Sequence, residues 1–189
     1  MRRVVSVTIV SGALVGGLFA AGPAAQAETR TKVQPAAAQD DFGKEVTVTR
    51  EGAISGAALI NEAKRAGRPY SAKEAAAIKA APCRVYERTR GYKNSKGRWL
   101  IKVTNRLTWC WNGSQVLSYR ANWKATTANK KVWRMRGWVK KSAAPTKSWS
   151  SVTSKAQYRF YYTGNRKTYS PWVNVTGYRN GAYRWSAGG

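Results

Sequence analysis

The stretch Arg98-Trp-Leu-Ile-Lys-Val-Thr-Asn-Arg-Leu-Thr-Trp-Cys-Trp-Asn-Gly-Ser114 constrains the chain more than any other. Trp99, Ile101, Val103, Asn105, Leu107, Trp109 and Trp111 share one parity, and Lys102, Thr104, Arg106 and Thr108 share the other. One largely apolar and one polar side with a period of two is the pattern of a half-buried β-strand. Asn112-Gly113 follows, two residues that accept the positive φ of a two-residue hairpin. Cys110 has the parity of the polar side, which requires a bulge near Trp109 or a covered second face.

The rest of the chain continues in strands and turns. Val85–Arg90 reads as a first strand, and Lys93–Gly97 as a turn. Gln115–Lys124, Lys131–Val139, Ala156–Tyr162, Trp172–Tyr178 and the segment holding Tyr183 and Trp185 read as further strands. Trp133, Met135 and Val139 fall on one side of their strand, with Arg134, Arg136 and Trp138 on the other. Lys140–Lys147, with Pro145, reads as a loop. Asn180-Gly181 is a second hairpin signal. The expected fold is mainly β, an antiparallel β-sandwich or small barrel of about six to eight strands preceded by two short helices.

Charge and aromatics divide the 189 residues unevenly. Residues 82–189 carry 23 Lys+Arg against Glu87 alone, a net of +22, and hold all nine tryptophans. Residues 28–81 carry 9 Lys+Arg against 7 acidic residues, a net of +2. The chain is one basic, aromatic β-domain (82–189) behind a nearly neutral helical preface (51–81). In the preface, Ser55 caps a helix that runs through Ala66 and stops at Gly67. Ser71 and Glu74 form a capping box at the head of a second helix, Ala72–Ala80. Leu59, Ile60 and Ile78 give these helices thin apolar faces, suited to docking on the β-domain.

Residues 1–27 read as a signal peptide. Met1-Arg2-Arg3 is the basic start, Val4–Ala21 the apolar run, and Ala25-Gln26-Ala27 the cleavage site, with Glu28 opening the mature chain. Residues 28–50 read as a disordered linker, although Glu45–Thr49 has the composition of a short strand. The expected location is secreted, extracellular or associated with the cell wall, and the chain is not an integral membrane protein. In that oxidising setting Cys83 and Cys110 are expected to form a disulfide, contributing about 3–4 kcal/mol on the chain-entropy model. Two cysteines without a histidine make a poor zinc site, and no histidine is present to activate a thiol.

The layout resembles a group of uncharacterised secreted actinobacterial proteins. They have a signal peptide, a helical preface, and a β-domain with a cysteine followed by a Trp-Cys-Trp-Asn-Gly motif. The matching residues are Cys83 and Trp109-Cys110-Trp111-Asn112-Gly113. The resemblance implies location and fold and carries no activity.

Composition excludes several chemistries. Without histidine there is no Ser-His-Asp arrangement. Glycoside hydrolysis needs two carboxylates, and the β-domain has only Glu87 unless the preface lends Glu62 or Glu74. Calcium and magnesium sites need carboxylates too, and no phosphate-cradling glycine loop occurs. Serine and lysine are plentiful, but nothing in the sequence places them together. The expectation is a protein that is not an enzyme and needs no cofactor and no metal.

The positive feature is cations interleaved with aromatics, as in Trp133-Arg134-Met135-Arg136-Gly137-Trp138 and Tyr158-Arg159-Phe160-Tyr161-Tyr162. Much of this is core on one side of a strand and solvated charge on the other. The one-sided sign of the charge nevertheless predicts polyanionic partners. The first reading is a binding module for an anionic polymer of the cell envelope, such as teichoic acid or an acidic glycan. Trp133, Arg134, Arg136, Trp138, Trp172 and Arg179 are its candidate ligand-binding residues. A second reading is a single-stranded nucleic-acid-binding or cationic antimicrobial protein. A third is a structural coat on the producer's own wall.

Overall fold

The computed structural model describes residues 45–189; the expected signal peptide, its expected cleavage site at Ala27 and Glu28, and residues 28–44 of the expected linker lie outside the described residues. The chain runs β1 (Glu45–Ser55), α1 (Gly56–Arg65), α2 (Ala72–Ile78), β2 (Pro82–Lys93), β3 (Trp99–Trp111), β4 (Val116–Thr127), β5 (Trp133–Pro145), β6 (Ser151–Tyr162), β7 (Lys167–Tyr169), β8 (Trp172–Tyr178) and β9 (Tyr183–Gly188). The first sheet has the order β1-β2-β3-β4, and the second β5-β6-β8-β9 with β7 also paired to β6. Every pairing is antiparallel. The two sheets pack face to face as a sandwich and do not close into a barrel.

The alternation of β3 holds from Ile101 to Trp109; at its start a register shift between Tyr92 and Lys93 sets Trp99 opposite Lys93, on the outer side and against its expected parity. Ile101, Val103, Asn105, Leu107 and Trp109 are fully buried between the sheets. At one end Leu107, Trp109, Tyr86 and Val116 meet Val152, Val173 and Val175 of the second sheet. At the other end Ile101 and Val103 meet Trp133, Tyr158, Phe160 and Tyr162. Asn105 lies in the interior with its amide fully paired. Its Nδ2 donates to the Ser154 and Val173 carbonyls, both at 3.0 Å, and its Oδ1 accepts from Ser154 Oγ at 2.7 Å. Trp123 Nε1 donates to the same Ser154 Oγ at 3.1 Å. One asparagine therefore ties β3 to both β6 and β8, and it is tolerated in the core because no polar atom of its amide is left bare.

The helices are capped as the sequence indicates. The Ser55 side chain accepts from the Ala58 amide, and Ser71 and Glu74 form the reciprocal capping box. The second helix ends at Ile78, two residues earlier than expected. Leu59 and Ile78 pack onto Cys83 and Cys110, with Ile54, Tyr70 and Leu117 around them. Cys83 and Cys110 stand opposite each other in the β2–β3 register and form the disulfide. The helices thus cover the outer side of the first sheet at this end, which explains a cysteine of polar parity being wholly buried. A register shift between Cys110 and Trp111 adds a bulge, and it leaves Ser118 and Leu117 both on the helix side.

Four expectations change. The linker reading to residue 50 gives way to β1, whose eleven residues all pair with β2. The Asn112-Gly113 turn is a four-residue connection rather than a two-residue one, because Trp111 pairs with Val116. Within it only Gly113 has positive φ (88°), while the Asn112 side chain accepts from the Ser114 and Gln115 amides. The 140–147 loop is the second half of β5, and Pro145 is its last residue, where no following ladder bond is needed. Finally, β5 is bulged between Met135 and Gly137 and between Trp138 and Lys140, with Gly137 at φ 108°. The first bulge reverses the parity, and the second restores it at Lys140. Trp138 therefore pairs with inward-facing Tyr158 rather than sharing a side with Arg134.

Candidate functional site

The second sheet has an outer side with no covering element among the described residues. Its residues follow from the register. On β6, Thr153, Lys155, Gln157, Arg159 and Tyr161 alternate with the buried Val152, Ser154, Ala156, Tyr158 and Phe160. Lys155 lies in one cross-strand row with Ser142, Asn174 and Ser186. Gln157 lies in the next with Lys140 and Trp172. Arg134 stands opposite Tyr161. Arg184 stands opposite Thr176, whose hydroxyl is 3.0 Å from that of Thr153.

Charge on this side has one sign. After Glu87 the sequence contains no Asp or Glu, so residues 133–189 bring eleven Lys+Arg and no acidic side chain. Lys140, Lys155, Arg159 and Arg184 are exposed. Hydroxyl and amide groups lie between them, supplied by Thr153, Gln157, Asn174 and Thr176. Aromatic surface comes from Tyr161, Trp172 and Tyr178, each half-buried. The Trp172 indole lies across the edge strand at Gly188, where a Cβ would come within 3.0 Å of the ring. A side chain there would push the ring outward by a few tenths of an ångström. Around Trp172, with Lys140, Lys155, Gln157 and Asn174, is a shallow depression of about 380 Å³.

The six candidate residues do not form one cluster. Arg134 and Arg136 are exposed beside Tyr161, and the Arg136 guanidinium is 5.1 Å from the Tyr161 ring centre. Trp172 lies farther along the same side. Trp133 is core, 1% exposed and stacked on Tyr162 at 4.6 Å. Trp138 is half-buried and meets Tyr158 edge-on at 5.0 Å. Arg179 lies in the turn after β8, where it joins the two hairpin ends. Its carbonyl accepts from the Gly113 amide at 3.1 Å and its guanidinium donates to the Ser114 carbonyl at 3.4 Å. Lys140, Lys155, Gln157, Arg159, Asn174 and Arg184 were not among the candidates. Their signal in the sequence is the shared parity of Lys155, Gln157, Arg159 and Tyr161 combined with the absence of acidic residues.

The first sheet treats its cations differently. On β2, Arg84, Arg88 and Arg90 point toward the second sheet at its open edge, and β1 supplies their partners. Arg84 pairs with Glu51 at 3.6 Å, and Arg90 pairs with Glu45. Arg88 contacts the Thr49 hydroxyl and lies 3.3 Å from the centre of the Trp185 ring. Burial holds its pKa below the usual arginine value. Tyr183 donates to Glu51 at 2.7 Å, and that bond raises its phenol pKa.

Among the described residues no three His, Cys, Asp or Glu side chains stand close enough to hold a metal ion. No described helix is long and apolar enough to cross a membrane. No family model matches the sequence, no curated protein resembles it significantly, and no solved structure matches its fold. Function must therefore be read from what this surface offers: hydrogen-bond donors, positive charge and aromatic faces.

Proposed function

We propose that the chain is an exported, non-enzymatic binding protein for anionic polymers of the extracellular space or cell wall, with the outer side of the second sheet as its contact surface. Phosphate or carboxylate groups of the polymer meet Lys140, Lys155, Arg159 and Arg184. Sugar or polyol units lie on Trp172 and Tyr161. The observation that carries this reading is the absence of any acidic side chain on a sheet side that displays cations on β5, β6 and β9, with the uncharged strand β8 between the last two. A side built only for solvation would mix charge signs, since repulsion among like charges is otherwise left unrelieved. The disulfide fits an oxidising location.

Tryptophan fluorescence tests it. The mature protein is titrated with poly(glycerol phosphate), single-stranded DNA and a neutral glycan, each at low and high salt. The expected result is binding of the polyol phosphate that shifts the emission, survives at high salt and loses the shift in Trp172→Ala. Equal loss of both polyanions with salt means binding by bulk charge alone, and overturns a surface that reads its ligand. Tighter binding of the DNA at high salt would favour the nucleic-acid reading.

A further inference from the structure

The first sheet has a second cationic surface, on the opposite side of the sandwich. Its outer side is covered by helices only at the disulfide end. The remainder forms a groove of about 460 Å³ across β1 to β4. Arg50, Lys93, Lys102 and Lys124 line it, with Trp99 at one end and exposed Val48 on the β1 wall. The floor carries the Thr89 and Thr104 hydroxyls, 2.8 Å apart. Arg106 bounds the helix end and is engaged by Glu62 at 3.3 Å.

Three observations make this more than a solvated sheet side. First, the one carboxylate in the groove, Glu87, stands in register between Arg50 on β1 and Arg106 on β3, so its charge is offset within the sheet. Lys93, Lys102 and Lys124 remain as net positive charge. Second, the Lys93 and Lys102 ammonium groups lie 4.8 and 5.8 Å from the Trp99 ring centre. An aromatic face therefore stands beside both cations, and neither has an ion-pair partner among the described residues. Third, the side is concave, whereas the outer side of the second sheet is shallow, so it suits a chain lying lengthwise.

We infer that this groove is a second binding site for a phosphodiester-linked polyol chain, so that one protein molecule holds two such chains, one on each side of the sandwich. The inference rests on the reading of the second sheet given above, and extends it from binding to bridging. Phosphates meet Lys93, Lys102 and Lys124, and a polyol or sugar unit packs against Trp99. Because the two sites face away from each other, a single short chain cannot occupy both. Long chains are then cross-linked by the protein without any oligomer of the protein itself.

The experiment is calorimetric titration of the mature protein with a poly(glycerol phosphate) oligomer too short to pass round the sandwich edge. Light scattering with the long polymer runs alongside. The expected stoichiometry is two oligomers per chain, falling to one in Lys102→Glu/Lys124→Glu and to one in Lys155→Glu/Arg159→Glu. All four positions are surface residues outside the core and the disulfide, and near-ultraviolet circular dichroism verifies the fold of each variant. The long polymer is expected to form large scattering complexes with the wild-type protein and with neither variant. One oligomer per wild-type chain, unchanged by Lys102→Glu/Lys124→Glu, overturns the groove while leaving the second-sheet reading intact. No binding by the wild-type protein overturns both. Occupation of the groove by a thymidine oligonucleotide in preference to the polyol phosphate overturns the assigned ligand.

Discussion

The two sheets share a core and treat charge in opposite ways. All five acidic side chains of residues 45–189 (Glu45, Glu51, Glu62, Glu74 and Glu87) belong to the first sheet or its helices. Three of them pair with Arg90, Arg84 and Arg106. The second sheet has no acidic side chain of its own, and among the described residues no ion pair reaches its cations. The difference sorts the arginines and lysines of a very basic chain into two kinds. Those of the first kind are held by acids that β1 and α1 bring, so part of their charge is consumed in fixing the preface to the domain. Those of the second kind have no ion-pair partner among the described residues. The nearly neutral balance of residues 28–81 and the strong positive charge of 82–189 are thus two halves of one arrangement.

The largest effect is expected where the sheets depend on each other. Asn105→Leu removes the amide that joins β3 to β6 and β8. It leaves the Ser154 hydroxyl without its acceptor and removes a side-chain donor from two interior carbonyls. Each unpaired buried group costs about 1–3 kcal/mol. The urea midpoint should fall with an unchanged slope. Polymer affinity measured well below the midpoint should be that of the wild type, since both proposed contact surfaces lie on outer sides. An unchanged midpoint would mean that the two apolar clusters hold the sandwich together without the asparagine.

Much of this was legible in the sequence because short-range rules govern it. The alternation from Ile101 to Trp109, the caps at Ser55 and Ser71, and the Cys83–Cys110 pairing follow from local pattern or from there being only two cysteines. The misassigned part is β5. Gly137 takes φ 108° in a bulge, and the extra residue moves Trp138 to the other side of the strand before a second bulge restores the parity at Lys140. Arg134 and Trp138 were placed together on that account, and the structure separates them. Which sheet a strand joins is a property of long-range pairing, so adjacency of Lys155, Trp172 and Arg184 had no signature in their spacing. Asn105 was visible as a polar residue of apolar parity. Its partners, from residues 49 and 68 positions away, were not.

A smaller effect separates the two kinds of cation directly. Arg84→Gln removes a partly exposed ion pair with Glu51, and should cost about 0.2–1 kcal/mol of stability with little change in polymer affinity. Lys155→Gln together with Arg159→Gln should do the reverse. Stability should hold, while affinity falls and the dependence of log affinity on log salt becomes shallower by about 0.7–0.9 for each phosphate no longer neutralised. Thermal unfolding and salt titrations of the two variants check the pair of outcomes. If Arg84→Gln weakens binding as much as the double variant, the charge of the whole molecule matters and its placement does not.

The smallest effect concerns acid, and it too falls on one side of the comparison. The Glu74 carboxylate accepts from the Ser71 amide at 3.1 Å and from its hydroxyl at 2.9 Å. These bonds favour the charged form and hold its pKa below the usual carboxylate value, the backbone bond contributing most. A carboxylate whose pKa is lower in the folded state stabilises that state fully above its unfolded value of about 4.3. The contribution is lost as pH falls through the lower, folded value. Acid should therefore loosen α2 first. Hydrogen exchange should show the amides of residues 72–78 losing protection below about pH 4 while those of β6 and β8, in a sheet without acidic side chains, show no matching step. The site is exposed, so the change is small. Glu74→Gln keeps an acceptor for the Ser71 amide and removes the titration, and should abolish the step. Persistence of the step in that variant would place its origin in the acids that fasten β1.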